Sequence, residues 1–421
     1  MNQKQPRIVI VNVWHDDNKG DGGICEGLII SLKQRWSDAE LSIVSMMPYY
    51  APVSPNAHRH LRSRFPDLKV FSSPFVAKDP SYSPDRYGHL RKLWHIPKTL
   101  WQLVGWLPQS HPALNAIANA DLVISNGGQY IYTSNNYFAS LFRTFRNLYP
   151  FMLAGNYRVP YVLFSQSYDF RYSDRLDDKL VRNIESQAQK VFAREQISLN
   201  ALIKEGIPKN ILDLIPDAAF ALKPNHTEKV RSVLSKHQLE KGKFWTITVR
   251  KWGIHTDDFL EQMAVLINRA ISQQLVEKIV LVAQTLGPSR GENDRLATQK
   301  LAQKLDLDAV SVIEDDLSPG ELVAFYGEAE LMLGTRFHSV IFALVGGTPA
   351  YAVSYAGPKT WGIMEMLDMK HLCTNMSDFD ADLVLKQIQE SDLPAIARGL
   401  PAKIDNLKQQ LSQAVNTLVL K

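Results

Sequence analysis

The chain is poor in several things that commonly announce a function. Its 421 residues hold only two cysteines, Cys25 and Cys373, too few for a disulfide framework or a thiolate metal site and in keeping with a reduced compartment. Charge of one sign is also scarce, since 47 Lys and Arg against 43 Asp and Glu leave a formal +4, short of the concentrated basic surface that nucleic-acid binding needs. No apolar run approaches the ~20 residues that span a bilayer, and Ile8–Val13 is too short for the core of a secretory signal. A cytoplasmic protein is the expectation. No His, Asp or Glu cluster shows metal-ligand spacing, so neither a metal nor another cofactor is expected.

What is present in quantity is hydrophobic residue, 45% of the chain, enough for more than one core. Short β-branched runs alternate with amphipathic segments, the pattern of βα units that build parallel sheets. The strand candidates are Ile8–Val13, Leu41–Ser45, Asp121–Ser125, Tyr161–Ser165 and Lys190–Ala193 in the first half. In the second they are Trp245–Val249, Lys278–Ala283, Met332–Leu333 and Pro349–Val353. A polar stretch, Leu222–Lys243, separates the two sets. The expected organisation is a Rossmann-like domain over 1–222, a linker over 223–243, a second Rossmann-like domain over 244–401, and a closing helix over 402–421. In such sheets ligands bind outside the carboxyl ends of the strands.

The residues with chemistry fall there. Gly334-Thr335-Arg336-Phe337-His338-Ser339 lies between a strand and an apolar helix, which puts Arg336 and His338 beside unpaired backbone N–H groups and the positive end of a helix dipole. A capped helix whose Arg and His make structural bonds is an equally good reading of the spacing alone. One βα unit later comes Ser354-Tyr355-Ala356-Gly357-Pro358-Lys359, where Lys359 can meet a phosphate as a point charge. Asn18-Lys19-Gly20-Asp21 follows the first strand and Ser125-Asn126-Gly127-Gly128 a later one, but neither is the three-glycine dinucleotide pattern, and tight turns explain them as well. Arg194 and Arg250 each end a strand. Either suits carboxylate or phosphate, or an internal salt bridge.

These motifs, in this order, resemble the polysaccharide pyruvyl transferase family. The match extends from Asn18-Lys19-Gly20-Asp21 through Ile124–Gly128, Ala193–Ser198 and Pro216–Phe220 to the most specific part, Gly334 to Lys359. The resemblance implies two facing Rossmann-like domains of the glycosyltransferase-B kind with a cleft between them, the first on the acceptor side and the second on the donor side. It implies phosphoenolpyruvate as donor and a saccharide as acceptor, whether free, nucleotide-linked, lipid-linked or polymeric. It places Arg336, His338 and Arg194 in catalysis, with His338 moving a proton, and Lys359, Ser198, Arg250, Asn18, Gly20, Asp21, Gly127, Gly128 and Tyr355 in substrate binding. Two departures are visible: Asp17 stands where the family more often has glycine, and Ser165–Phe170 lacks the usual Gly-Pro. The alternatives are a nucleotide-sugar glycosyltransferase of the same fold and a non-catalytic saccharide-binding protein. Against the first, Val340–Gly347 carries no carboxylate to hold a ribose.

One stretch stands apart. Between His58 and Ser110 there are nine Lys and Arg against three acids, and Arg91–Pro108 within it carries three tryptophans. Such a segment rests either at a membrane interface or, more commonly, on its own domain as an amphipathic helix pair.

Overall fold

A computed structural model describes residues 5–47, 57–75, 111–132, 134, 136–168, 175–253, 256–287, 293–305, 307–355 and 357–421. Arg91–Pro108, and with it the question of that segment's membrane contact, lies outside the described residues. The chain divides into two compact units, one of residues 1–16, 28–218 and 410–421, the other of 17–27 and 219–409.

The first unit is built on a parallel sheet of seven strands: β1 (Arg7–Val13), β2 (Glu40–Ser45), β3 (Lys69–Ser72), β4 (Leu122–Ser125), β5 (Tyr161–Gln166), β6 (Lys190–Ala193) and β7 (Leu212–Leu214). Their spatial order is β3-β2-β1-β4-β5-β6-β7. The second unit has a parallel sheet of six: β8 (Phe244–Thr248), β9 (Lys278–Val282), β10 (Val310–Ile313), β11 (Leu331–Gly334), β12 (Ala350–Ser354) and β13 (Cys373–Asn375), ordered β10-β9-β8-β11-β12-β13. The nine runs of β-branched residues all became strands. The four that sequence patterning missed, β3, β7, β10 and β13, are three or four residues long and lie at or next to sheet edges, where a short strand carries too few buried side chains to show a pattern.

The connecting helices are α1 (Lys19–Arg35), α2 (Arg59–Arg64), α3 (Pro112–Ala118), α4 (Tyr137–Asn156), α5 (Leu176–Ser186) and α6 (Gln196–Lys204). Then follow α7 (Glu228–Lys236), α8 (Thr256–Ser272), α9 (Arg295–Ala302), α10 (Pro319–Tyr326), α11 (Phe337–Gly346), α12 (Lys359–Met366), α13 (Ala381–Glu390) and α14 (Leu393–Asn416). Among the described residues no helix is long and apolar enough to cross a membrane. Buried on both faces, the central strands are almost wholly apolar: Ile8, Ile10, Val11 and Val13 are fully buried in β1, as are Ile279, Val280 and Leu281 in β9. Each such side chain contributes about 1.5–3 kcal/mol relative to exposure. Helices α10 and α11 pack backbone to backbone. A Cβ at Gly346 would stand 2.6 Å from the Val323 carbonyl, and one at Gly327 2.8 Å from the Gly346 carbonyl. Gly347 then ends α11 at φ 92, a left-handed cap open to glycine at little cost.

The segment expected as a linker is part of the second unit. Leu222 is fully buried, α7 is capped by the Thr227 hydroxyl, and the Asn225 amide donates to the Gly320 carbonyl at 2.9 Å. The polar face read as a linker is the solvated side of an amphipathic helix whose Val230 and Val233 are buried. The final helix also differs from expectation. It starts at Leu393, and the residues from Gln410 onward belong to the first unit. There Gln189 exchanges two 2.9 Å hydrogen bonds with the Val419 backbone, and the Lys421 amide donates to the Asp121 carbonyl at 2.9 Å.

His58 holds one corner of the first unit. It is buried, lies 2.7 Å from the Ser45 hydroxyl through Nε2, and burial pushes its imidazole down to about 4, with Asp16 opposing the shift and His15 and Arg62 adding to it. The unfolded chain therefore binds a proton that the folded chain refuses. The resulting stability is complete above about pH 6.5, is lost as pH falls towards about 4, and amounts to at most about 3 kcal/mol. Chemical unfolding at a series of pH values should show this acid loss in the wild type and a shallower loss in His58→Gln.

Candidate functional site

In both sheets the strand order reverses once, between β1 and β4 and between β8 and β11. The crevice outside such a switch point is where open α/β sheets bind ligands. In the second unit β8 runs out at Thr248 and delivers Arg250, while β11 runs out at Gly334 and delivers Arg336 and His338. The neighbouring β12 delivers Tyr355 and, at the start of α12, Lys359.

Arg336 is the N-cap of α11, and its side chain is closed on a carboxylate. It is 8% exposed and its Nε lies 3.0 Å from both carboxylate oxygens of Asp294, with Nη2 donating to the same group. Asp294 is itself buried and accepts the Thr285 amide at 2.9 Å. The fork thus clasps the β11–α11 turn to the segment between β9 and α9, and much of its charge is met inside the protein. Sequence reasoning missed Asp294. Its place before a helix signals a cap, but a partner 42 residues away leaves no trace in local spacing.

His338 lies on the first turn of α11 against Phe337, ring centroids 4.9 Å apart, and against Gly20. A Cβ on Gly20 would stand 2.2 Å from His338 Nδ1 and 2.7 Å from its Cγ. Glycine at position 20 is therefore required by the imidazole. The rest of that loop builds the start of α1: the Asn18 side chain accepts the Gly20 amide at 3.2 Å and donates to Asp21 at 2.9 Å, a helix cap with reciprocal support. Lys19, 1% exposed, pairs with Asp316. Asn18, Gly20 and Asp21, expected to touch substrate, are thus seen here shaping the floor on which His338 rests.

Lys359, Arg250 and Tyr355 form the tightest group. Lys359 Nζ donates to the Tyr355 hydroxyl at 3.0 Å. The Arg250 guanidinium lies 4.2 Å from the Tyr355 ring centroid and 4.8 Å from that of Trp252, and the two rings are 4.9 Å apart. Burial by itself would raise the Tyr355 phenol, but Lys359, Arg250 and Arg336 outweigh it and bring the group down to about 8. A phenol so placed reports a concentrated positive field.

Four other expected residues belong to the first unit. Arg194, 1% exposed, donates from Nε and Nη2 to the Ser167 hydroxyl at 2.9 and 2.7 Å and from Nη1 to Asp217 at 2.6 Å. Glu195 lies 3.7 Å away and accepts the hydroxyls of Ser167 and Ser198, and Ser198 accepts the Tyr168 amide at 2.8 Å. This buried network binds the ends of β5 and β6 to the Pro216-Asp217 turn, and in it the guanidinium of Arg194, expected in catalysis, is hydrogen-bonded to Ser167 and Asp217. Gly127 and Gly128 are buried. Gly128, at φ 146, carries β4 onward to pair with Gln166 beside β5, a structural duty that needs glycine. One cluster departs from the expected absence of metal-ligand spacing. His15, Asp16 and Asp17 can bring ligand atoms within 4.8 Å of one another, although Asp16 already accepts the amides of His60 and Leu61 at 2.8 and 3.3 Å.

The comparisons with known proteins decide the family. The family model described as polysaccharide pyruvyl transferase matches residues 18–357. The chain belongs to that family. A curated relative, the amylovoran biosynthesis protein AmsJ of Erwinia amylovora, is 23% identical over 427 residues, 97% of this chain and 95% of its own. Among solved structures, HepE of Anabaena in complex with UDP and glucose superposes with a TM-score of 0.55 at 15% identity, covering 98% of this chain and all of that one. The UDP-GlcNAc 2-epimerase of Methanocaldococcus jannaschii gives 0.56 at 12% identity, covering 93% and 94%. At these identities the likeness shows the fold, the two Rossmann-like domains of glycosyltransferase-B-like proteins.

The ion pair makes a stability prediction. In this pyruvyl transferase family member, Arg336→Ala should leave Asp294 buried and unpaired and cost about 3–5 kcal/mol, and the double variant Arg336→Ala, Asp294→Ala should recover part of that in denaturant unfolding. Simple additivity of the two single losses would show that the pair does not act as a unit. Gly20→Ala should instead displace the imidazole, seen as a shift of the His338 ring resonances, with a smaller cost in stability.

Proposed function

We propose that the strand-end cluster of the second unit binds phosphoenolpyruvate and that the protein transfers its pyruvyl moiety to two hydroxyls of a sugar as a ketal, in the assembly of a polysaccharide or its precursor. The observation that carries this reading is the gathering of Lys359 and Arg250 on Tyr355, with Arg336 adding to the positive field there, next to the N-terminus of α11. A donor with a carboxylate and a phosphate on one carbon needs several cations within a few ångströms, together with groups that pass protons. Lys359 and Arg250 offer direct contacts. Arg336, held by Asp294, contributes by fixing the turn.

In this scheme His338 gives a proton to the methylene carbon, a sugar hydroxyl oxygen adds to the adjacent carbon, and the Tyr355 phenolate accepts the hydroxyl proton. The carbon–oxygen bond to phosphate then breaks, the second hydroxyl adds, and its proton leaves with the phosphate. One hydroxyl proton thereby replaces the one His338 gave, so the products are the ketal and hydrogen phosphate. No step calls for a metal ion.

Incubation with phosphoenolpyruvate and a panel of free and lipid-linked saccharides should release phosphate only when an acceptor is present, and should continue in a chelator. Turnover of a nucleotide sugar in place of phosphoenolpyruvate would overturn the proposal, and loss in chelator restored by one added metal would turn attention to His15, Asp16 and Asp17. His338→Ala should lower the rate on the order of a hundredfold. Because the scheme needs the deprotonated phenol and a protonated His338 together, the rate should follow a bell-shaped pH profile whose limb rising with pH comes from Tyr355. Tyr355→Phe should abolish that limb and lower the rate by a similar factor.

A further inference from the structure

The first two turns of α4 expose an unusual surface. Phe138 is 80% exposed and Phe142, one turn on, 47%, with Tyr132 and Tyr137 each at 37% beside them. Rings this open are commonly single and scattered; three in the first two turns of α4, with Tyr132 of the preceding segment stacked on Arg143, form a patch that water does not favour. The surrounding charge is one-sided. Residues 122–168 contain no Asp or Glu, while Arg143 and Arg146 lie on the same helix. Among the described residues neither arginine meets a carboxylate. Arg143 stacks on Tyr132 at 3.9 Å and donates to the Tyr132 carbonyl at 3.3 Å, and Arg146 lies 5.6 Å from the Trp14 ring centroid and 3.3 Å from the Asn147 side chain. Burial, and then the neighbouring Arg143, push Arg146 down to about 10, still charged near neutrality. Arg175, over Tyr137 at 5.0 Å, is by contrast neutralised by Asp177. The positive end of a 20-residue helix adds to the field at this place.

We infer that the exposed start of α4 is a membrane-contact surface, seated in the headgroup layer of an anionic bilayer with Phe138 and Phe142 inserted and Arg143 at the lipid phosphates. Aromatic rings flanked by cations, with the neighbouring carboxylate of Asp177 buried and paired to Arg175, match that layer: the rings enter the acyl boundary and the guanidinium meets phosphate. The helix does not span the bilayer, so the contact is peripheral. This inference is independent of the transfer chemistry proposed above.

The test is flotation of the full chain with phosphatidylcholine vesicles, with and without phosphatidylglycerol, at low and high salt. Wild-type protein should float with the phosphatidylglycerol vesicles at low salt and be released by high salt. Phe138→Ser with Phe142→Ser should cut the bound fraction roughly tenfold or more while lowering the unfolding midpoint only slightly, since Phe138 is 80% and Phe142 47% exposed. Arg143→Gln should weaken binding about fivefold and reduce the preference for phosphatidylglycerol. Three results would each overturn the inference. They are wild-type protein that stays with the soluble fraction, flotation that survives loss of both phenylalanines, and a solution dimer that dissociates in the double variant, which would give the patch to a second copy of the chain.

Discussion

The buried pairing of Arg336 with Asp294 is the contact on which the second unit's strand-end cluster depends. It holds the β11–α11 turn against the segment that leads into α9, and so fixes the start of the helix that carries His338. Two charges taken out of water gain little net stability from one another, but removing either leaves the other stranded. What the pair fixes is position. From that fixed turn, His338 meets Gly20 across a gap with no room for a methyl group, and the loop before α1 has to be capped by Asn18 and Asp21 to present that glycine.

The arrangement separates two uses of positive charge. Arg336 and Arg194 are each closed on carboxylates, Asp294 for the one and Asp217 with Glu195 for the other, and serve as fasteners at strand ends. Lys359 and Arg250 instead gather on a phenol, and the field they produce is strong enough to overcome the cost of burying its ionised form. A planar fork suits the first task, because bidentate geometry fixes orientation. A cation resting on an aromatic face suits the second, since the ring orients the charge without neutralising it. The Tyr355 ring, with Trp252 beside it, thus acts as a scaffold for charge in a way that an acidic partner could not.

Outside that cluster, the first unit shows the same economy in its buried polar groups. Ser167 and Ser198 satisfy Glu195 and Arg194 where β5 and β6 end, and His58 stays neutral against Ser45. The exposed rings of α4 are the contrast: a surface that the described residues do not cover, in a stretch of chain from which acidic residues are absent.

The sequence by itself determined the elements and the edge on which chemistry would gather. Strands buried on both faces are nearly continuous apolar runs, and parallel sheets bring their carboxyl ends to one side, so the placement of Arg250, Arg336, His338, Tyr355 and Lys359 after strands was legible from local pattern alone. Short edge strands such as β3 and β13 were not, because too few of their side chains are buried to leave a period, and the polar face of α7 passed for a linker. Tertiary structure alone decided which carboxylates the buried cations Arg336 and Arg194 meet. Asp294 reaches Arg336 from 42 residues away, and Asp217 reaches Arg194 from 23. Spacing along the chain records the direction of a side chain relative to its own element, whereas ion pairing depends on which elements pack together, and only the folded chain supplies that.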